Sequence, residues 1–133
     1  MLYLGNKMSD DQIKNDSLTV SMDVIEELRE LVDEDTPDFL KELLHSFLAD
    51  AERHLIAMRT GLDENDIHKV MHASHTLKSS SANLGALGLS AYCKTIENSC
   101  RSGALEGLDE AITGGTEEFE KVRQLMTALP DYE

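Results

Sequence analysis

The run His75-Thr76-Leu77-Lys78-Ser79-Ser80-Ser81-Ala82-Asn83-Leu84-Gly85 lies inside a segment, Asn65 to Glu97, whose periodicity decides the fold. On a helical wheel at about 100° per residue, Ile67, Val70, Ser74, Leu77, Ser81 and Leu84 gather on one side, with Met71 at its edge. That side must face a core. His68, His72, His75 and Ser79 recur at helix spacing and fall within an arc of about 60° on the opposite side, where water is expected. Lys78 stands one turn beyond His75 and is displaced around the axis, so its ammonium can reach an anion attached to the imidazole without taking its place.

Outward from this segment the same helical rhythm continues. Thr36-Pro37 reads as a helix start, a side-chain acceptor followed by a residue whose fixed φ suits the first turn. The helix it opens is expected to run to about Thr60 and end at Gly61. Phe39, Leu40, Leu43, Leu44, Phe47, Leu48, Ala51, Leu55 and Met58 make its stripe. His45 and His54 share no face of it and are expected as surface or boundary residues. Asn65 or Asp66 should cap the histidine-bearing helix, which ends near Gly85. A short turn leads to a helix with Leu89, Tyr92, Cys93, Ile96 and Cys100 inward, closed at Ser102-Gly103. The last helix starts at Leu105 or Leu108 and reaches Leu129, with Gly114-Gly115 as a point for a kink or break, since each glycine costs about 1 kcal/mol relative to alanine. Before these four, Ser21 caps a short helix carrying Val24, Ile25, Leu28, Leu31 and Val32. Short connections force long neighbouring helices antiparallel. The expected fold is therefore all-α, an antiparallel up-down four-helix bundle with an additional short N-terminal helix, over residues 20–130, preceded by a flexible arm at 1–19.

Composition agrees with one helical domain: 133 residues, two prolines and 5% aromatics. The formal net charge of −14 argues against nucleic-acid phosphate and anionic membranes as partners. No apolar run approaches the roughly 20 residues that cross a bilayer, and no secretory signal pattern opens the chain, so the cytoplasm is the expected compartment. Cys93 and Cys100, two helical turns apart, are too distant for a disulfide and read as buried thiols.

Chemistry centres on His75. An exposed imidazole is largely neutral near pH 7 and carries a nucleophilic nitrogen. A convex helix surface leaves it open to another protein. No general base, metal-carboxylate cluster or phosphate-binding loop accompanies it, so ATP binding is not indicated. A competing reading comes from the same wheel: His68, His72 and His75 at spacings of four and three could bind a transition metal.

The run His75-Thr76-Leu77-Lys78, then Ser81-Ala82-Asn83-Leu84-Gly85, with Leu89, Cys93, Ile96 and Glu97 following, resembles the active-site helix and next helix of histidine-containing phosphotransfer (HPt) domains. The family's usual glycine after the lysine is Ser79 here, still small enough to leave the imidazole approachable. The resemblance implies that His75 is a phosphoryl acceptor and that Lys78 stabilises phosphoryl charge, with His72 and Ser79 on the partner-binding face. It further implies a monomeric phosphocarrier in a multistep phosphorelay, without independent kinase activity or a cofactor of its own. The expected partners are the receiver domain of a hybrid sensor histidine kinase and that of a response regulator. Mg²⁺ is expected in the partner receiver domain. Met1 and the loose opening arm favour a free-standing protein. A third reading is a catalytically silent receiver-binding scaffold.

Overall fold

The computed structural model describes residues 18–133. Of the arm expected over residues 1–19, residues 1–17 lie outside the described residues, while Thr19 and Val20 are buried. Five α-helices follow: α1 (Met22–Arg29), α2 (Phe39–Asp63), α3 (Ile67–Asn83), α4 (Leu87–Ser102) and α5 (Leu108–Thr127), then a single 3₁₀ turn, Pro130–Tyr132. No strand occurs among the described residues. Helices α2 to α5 each pack on the next, and α5 returns to α2, which closes a four-helix bundle. The connections between them, 64–66, 84–86 and 103–107, are too short for anything but antiparallel neighbours.

One core runs through all five helices. Leu44, Leu77, Ile96, Ile112 and Met126 have no exposed surface, and each such side chain contributes on the order of 1.5–3 kcal/mol. Exposed ion pairs such as Arg123 with Glu52 contribute about 0–1 kcal/mol, so the stripes hold the bundle. On α3 Val70, Ser74, Leu77 and Ser81 point inward, as the wheel places them, and Ala73, which it did not single out, is buried with them.

Helix α2 departs from expectation at both ends. Thr36 does not cap it: Asp33 Oδ1 accepts from the backbone N–H groups of Asp35 and Thr36 and from the Thr36 hydroxyl, forming a turn that competes with the cap. The helix therefore starts at Phe39, after Asp38. At the other end it runs past Gly61 to Asp63. A Cβ at Gly61 would stand 2.9 Å from Val70 Cγ2 and 3.0 Å from the Asp66 carbonyl oxygen, so this glycine serves the close approach of α3. Asn65, at φ 58°, then turns the chain, and Asp66 caps α3 by accepting from the Lys69 N–H.

Helix α5 is continuous through Gly114-Gly115. The pair makes room for Tyr92 of α4, since a Cβ on Gly114 would lie 2.6 Å from Tyr92 Cε1. Tyr92 is thus not an inner residue; it is 39% exposed and lies over this glycine step.

Three residue pairs attach the flanking segments. The Ser21 N–H donates to the Gly85 carbonyl (2.8 Å), joining α1 to the turn that ends α3. Gly85 has φ +83°, and a Cβ there would also meet the Ser21 carbonyl oxygen at 3.0 Å. At the C-terminus, Arg29 forks onto Asp131, with Nη2 at 2.7 Å from Oδ1, and holds that carboxyl below its ordinary range. His45 Nε2 donates to the Tyr132 carbonyl at 2.7 Å, and the two rings stack with centroids 4.0 Å apart.

Candidate functional site

Helix α3 presents His68, His72, His75 and Ser79 on its solvent side, all exposed. Among them His75 is distinguished by what holds it. Its side chain is 56% exposed, yet Nδ1 lies 2.8 Å from Oε2 of Glu97, whose own side chain is 3% exposed. Antiparallel packing of α3 against α4 brings residues 22 positions apart to the same level.

The Glu97 carboxylate is saturated with donors. Lys78 Nζ donates to Oε1 at 2.7 Å. Arg101, one turn along α4, donates from Nη2 at 2.7 Å and from Nε at 3.2 Å to the oxygen that His75 also uses. These contacts, Lys78 foremost, then Arg101 and His75, hold the carboxyl down at about 2 against the opposing effect of desolvation. What covers Glu97 is largely its own partners' side chains, so its charge is shielded rather than sunk in the apolar core. Burial, and after it the Glu97 charge, push the neighbouring Cys93 thiol up to about 12, which makes it inert. Cys93 and Cys100 are both free and buried.

An ionised carboxylate only accepts hydrogen bonds. His75 Nδ1 must therefore carry a proton, and in the neutral ring Nε2 keeps the lone pair. The ring has one nitrogen anchored and the other available as nucleophile. Lys78 sits on the carboxylate rather than standing free, and among the described residues two of its three N–H donors are uncommitted. Its carbonyl accepts from the Ser90 hydroxyl at 2.9 Å, a further tie between α3 and α4.

His75 lines neither the groove of about 380 Å³ between α2 and α5 nor that of about 220 Å³ between α2 and α3. Small ligands want concave sites, whereas a reactive group on a convex helix suits a protein partner. No three His, Cys, Asp or Glu side chains among the described residues converge where they could hold a metal ion, so the His68, His72 and His75 metal reading finds no support. No described helix is long and apolar enough to cross a membrane.

His72, His75 and Ser79 lie on the exposed side of α3 with the half-buried Lys78 beside them, while the sequence reading gave Arg101 no part and Glu97 no role. A signal was present: Glu97 falls on the inner face of α4 with Cys93, Ile96 and Cys100, and a carboxylate there needs cationic partners, the nearest being Arg101 four residues on.

Known proteins resemble this chain in sequence and in fold. The chain is 28% identical to histidine-containing phosphotransfer protein 1 of Arabidopsis thaliana over 105 residues, covering 77% of this chain and 68% of that protein. It is 28% identical to multistep phosphorelay regulator 1 of Schizosaccharomyces pombe over 89 residues, 67% of this chain but only 30% of that one. Among solved structures, histidine-containing phosphotransfer protein B of Pseudomonas aeruginosa PAO1 superposes with a TM-score of 0.75 at 30% identity, covering 82% of this chain and 91% of that chain. The Hpt domain model matches residues 42–132, which contain all of the four-helix bundle except the first three residues of α2, and every member of the His75 cluster. With the family model matched over more than half of its length, the chain belongs to the Hpt domain family.

Proposed function

We propose that this chain is a phosphocarrier that relays a phosphoryl group between aspartates of receiver domains through His75. The observation that carries the reading is the His75–Glu97 pair: an exposed ring whose Nδ1–H is fixed on a buried carboxylate, leaving Nε2 to attack. In the forward step Nε2 forms a bond to phosphorus as the phosphorus–oxygen bond of an aspartyl phosphate breaks, and the aspartate leaves as a carboxylate. The ring, still protonated at Nδ1, gains positive charge. Glu97 stabilises that charge where it develops. The return step reverses these changes.

Lys78 and Arg101 keep Glu97 ionised, and Lys78 has N–H groups left to meet phosphoryl oxygens. His72 and Ser79, exposed on the same side, are read as contact residues for the partner. Positioning and charge stabilisation supply the catalysis. Mg²⁺ and the aspartate belong to the receiver domain, so the chain needs no cofactor and no kinase activity of its own. The proposed route runs from the receiver of a hybrid sensor kinase to that of a response regulator, in the cytoplasm, with the chain acting as a monomer. The Hpt family and the names of its relatives, phosphotransfer proteins and a phosphorelay regulator, support this reading.

The test is incubation with a phosphorylated receiver domain, following acid-labile, base-stable phosphate on wild type and on His75→Gln. Label is expected on wild type alone. Receiver binding without label on wild type would indicate a silent scaffold, and equal label on His75→Gln would refute the assignment.

A further inference from the structure

The chain has 26 acidic residues against 12 lysines and arginines, but they are not spread evenly. Helix α3 contains no aspartate or glutamate, and α4 contains one, the buried Glu97. The two helices carry Lys69, Lys78, Lys94 and Arg101. Lys69 lies 3.5 Å from Glu64, which offsets part of its field. Lys94 is exposed and makes no ion pair among the described residues. By contrast, α1 and the turn after it present Asp23, Glu26, Glu27, Glu30, Glu34 and Asp35, all exposed, and α5 adds five more acids.

We propose that the α3–α4 face is an electrostatic guide that admits partners whose docking surface is acidic, while the acidic α1 and α5 sides repel the same partners in wrong orientations. This rests on the relay reading and names the partner chemistry that reading leaves open. A protein delivering a phosphoryl group already brings negative charge to the point of contact. An acidic rim around that group is complementary to α3–α4, whereas α1 and α5 carry an excess of acids and α2 is mixed, with Lys41, Arg53 and Arg59 against Glu42, Asp50, Glu52 and Asp63. Charge arranged in this way acts on the encounter rate and on orientation more than on the bond-making step. The chain's strongly negative balance and its positive face therefore work together: the first suppresses unproductive encounters, the second selects the productive one.

Lys94 and Lys121 make a matched pair for the test. Both are exposed, Lys94 on α4 and Lys121 on α5, so Lys94→Glu and Lys121→Glu change net charge equally but on different faces. With a small acidic receiver domain phosphorylated by acetyl phosphate, transfer is measured across receiver concentrations at low and high salt, helicity being checked for each variant. Lys94→Glu is expected to lower the second-order rate about three- to tenfold at low salt, to approach wild type at high salt, and to leave the saturating first-order rate unchanged. Lys121→Glu should stay within about twofold of wild type throughout. Equal slowing in both variants, no slowing in Lys94→Glu, or a lower saturating rate in Lys94→Glu would overturn the guide face while leaving the relay reading intact. Absence of label on wild type would overturn the relay reading, and this inference with it.

Discussion

Nδ1 of His75 and Oε2 of Glu97 lie 2.8 Å apart across the α3–α4 interface, one on a half-exposed ring and the other on a covered carboxylate. This contact turns a surface histidine into one with a defined tautomer. The carboxylate positions His75 rather than touching the transferred group.

Glu97→Ala should lower the rate of phosphoryl transfer at saturating receiver by about tenfold or more, the scale of losing a charge-stabilising contact in a proton- or group-transfer step. Glu97→Gln, which can still accept from Nδ1, should recover part of it. Nitrogen NMR of the ring supplies the readout that a merely structural role would not move: wild type is expected as the Nδ1–H tautomer, and Glu97→Ala as a mixture.

Acid should weaken the fold through the same residue. Glu97 is held at about 2 in the folded chain against an ordinary value of 4.5. Its contribution is present above pH 4.5 and lost as pH falls toward 2. Urea unfolding followed from pH 5 to pH 2.5 should lose stability in wild type more steeply than in Glu97→Gln, which has no proton to gain. Parallel curves would remove Glu97 from the acid response.

Gly61→Ala should destabilise the bundle by about 1–3 kcal/mol, although alanine is ordinarily the better helix residue by about 1 kcal/mol. The new Cβ meets Val70 Cγ2 and the Asp66 backbone, neither of which is the loose end of a flexible side chain. Chemical denaturation measures the difference.

Gly114→Ala tests the space reserved for Tyr92. In a Tyr92→Ala background the substitution should stabilise by about 1 kcal/mol, the ordinary helix preference. In wild type that gain should vanish or reverse, because the added methyl displaces a ring whose Cε1 stands 2.6 Å from it. A double-mutant cycle with no coupling would sink this account of the glycine pair.

The apolar rhythm of residues 39–126 was enough to define the bundle, the inner face of α3 and the outward direction of His68, His72, His75 and Ser79. That information is local, because each side chain's direction on a helix follows from its spacing. Helix boundaries were less legible. Thr36 lost its cap to the Asp33 turn, and Gly61 and Gly114 read as terminators or breakers when they are points of close packing. A glycine's sequence context does not say whether its missing Cβ frees the backbone or admits a neighbour.

His75 itself, and the presence of a lysine within reach, could be read from the order of residues. What the sequence could not determine was where Lys78 rests, why Arg101 matters, or which ring nitrogen is nucleophilic. Those depend on one carboxylate from another helix, brought level with His75 only when α3 and α4 pack antiparallel. Helical periodicity orients side chains about a single axis. Register between two axes is set by the packing of their cores, and only the tertiary structure contains it.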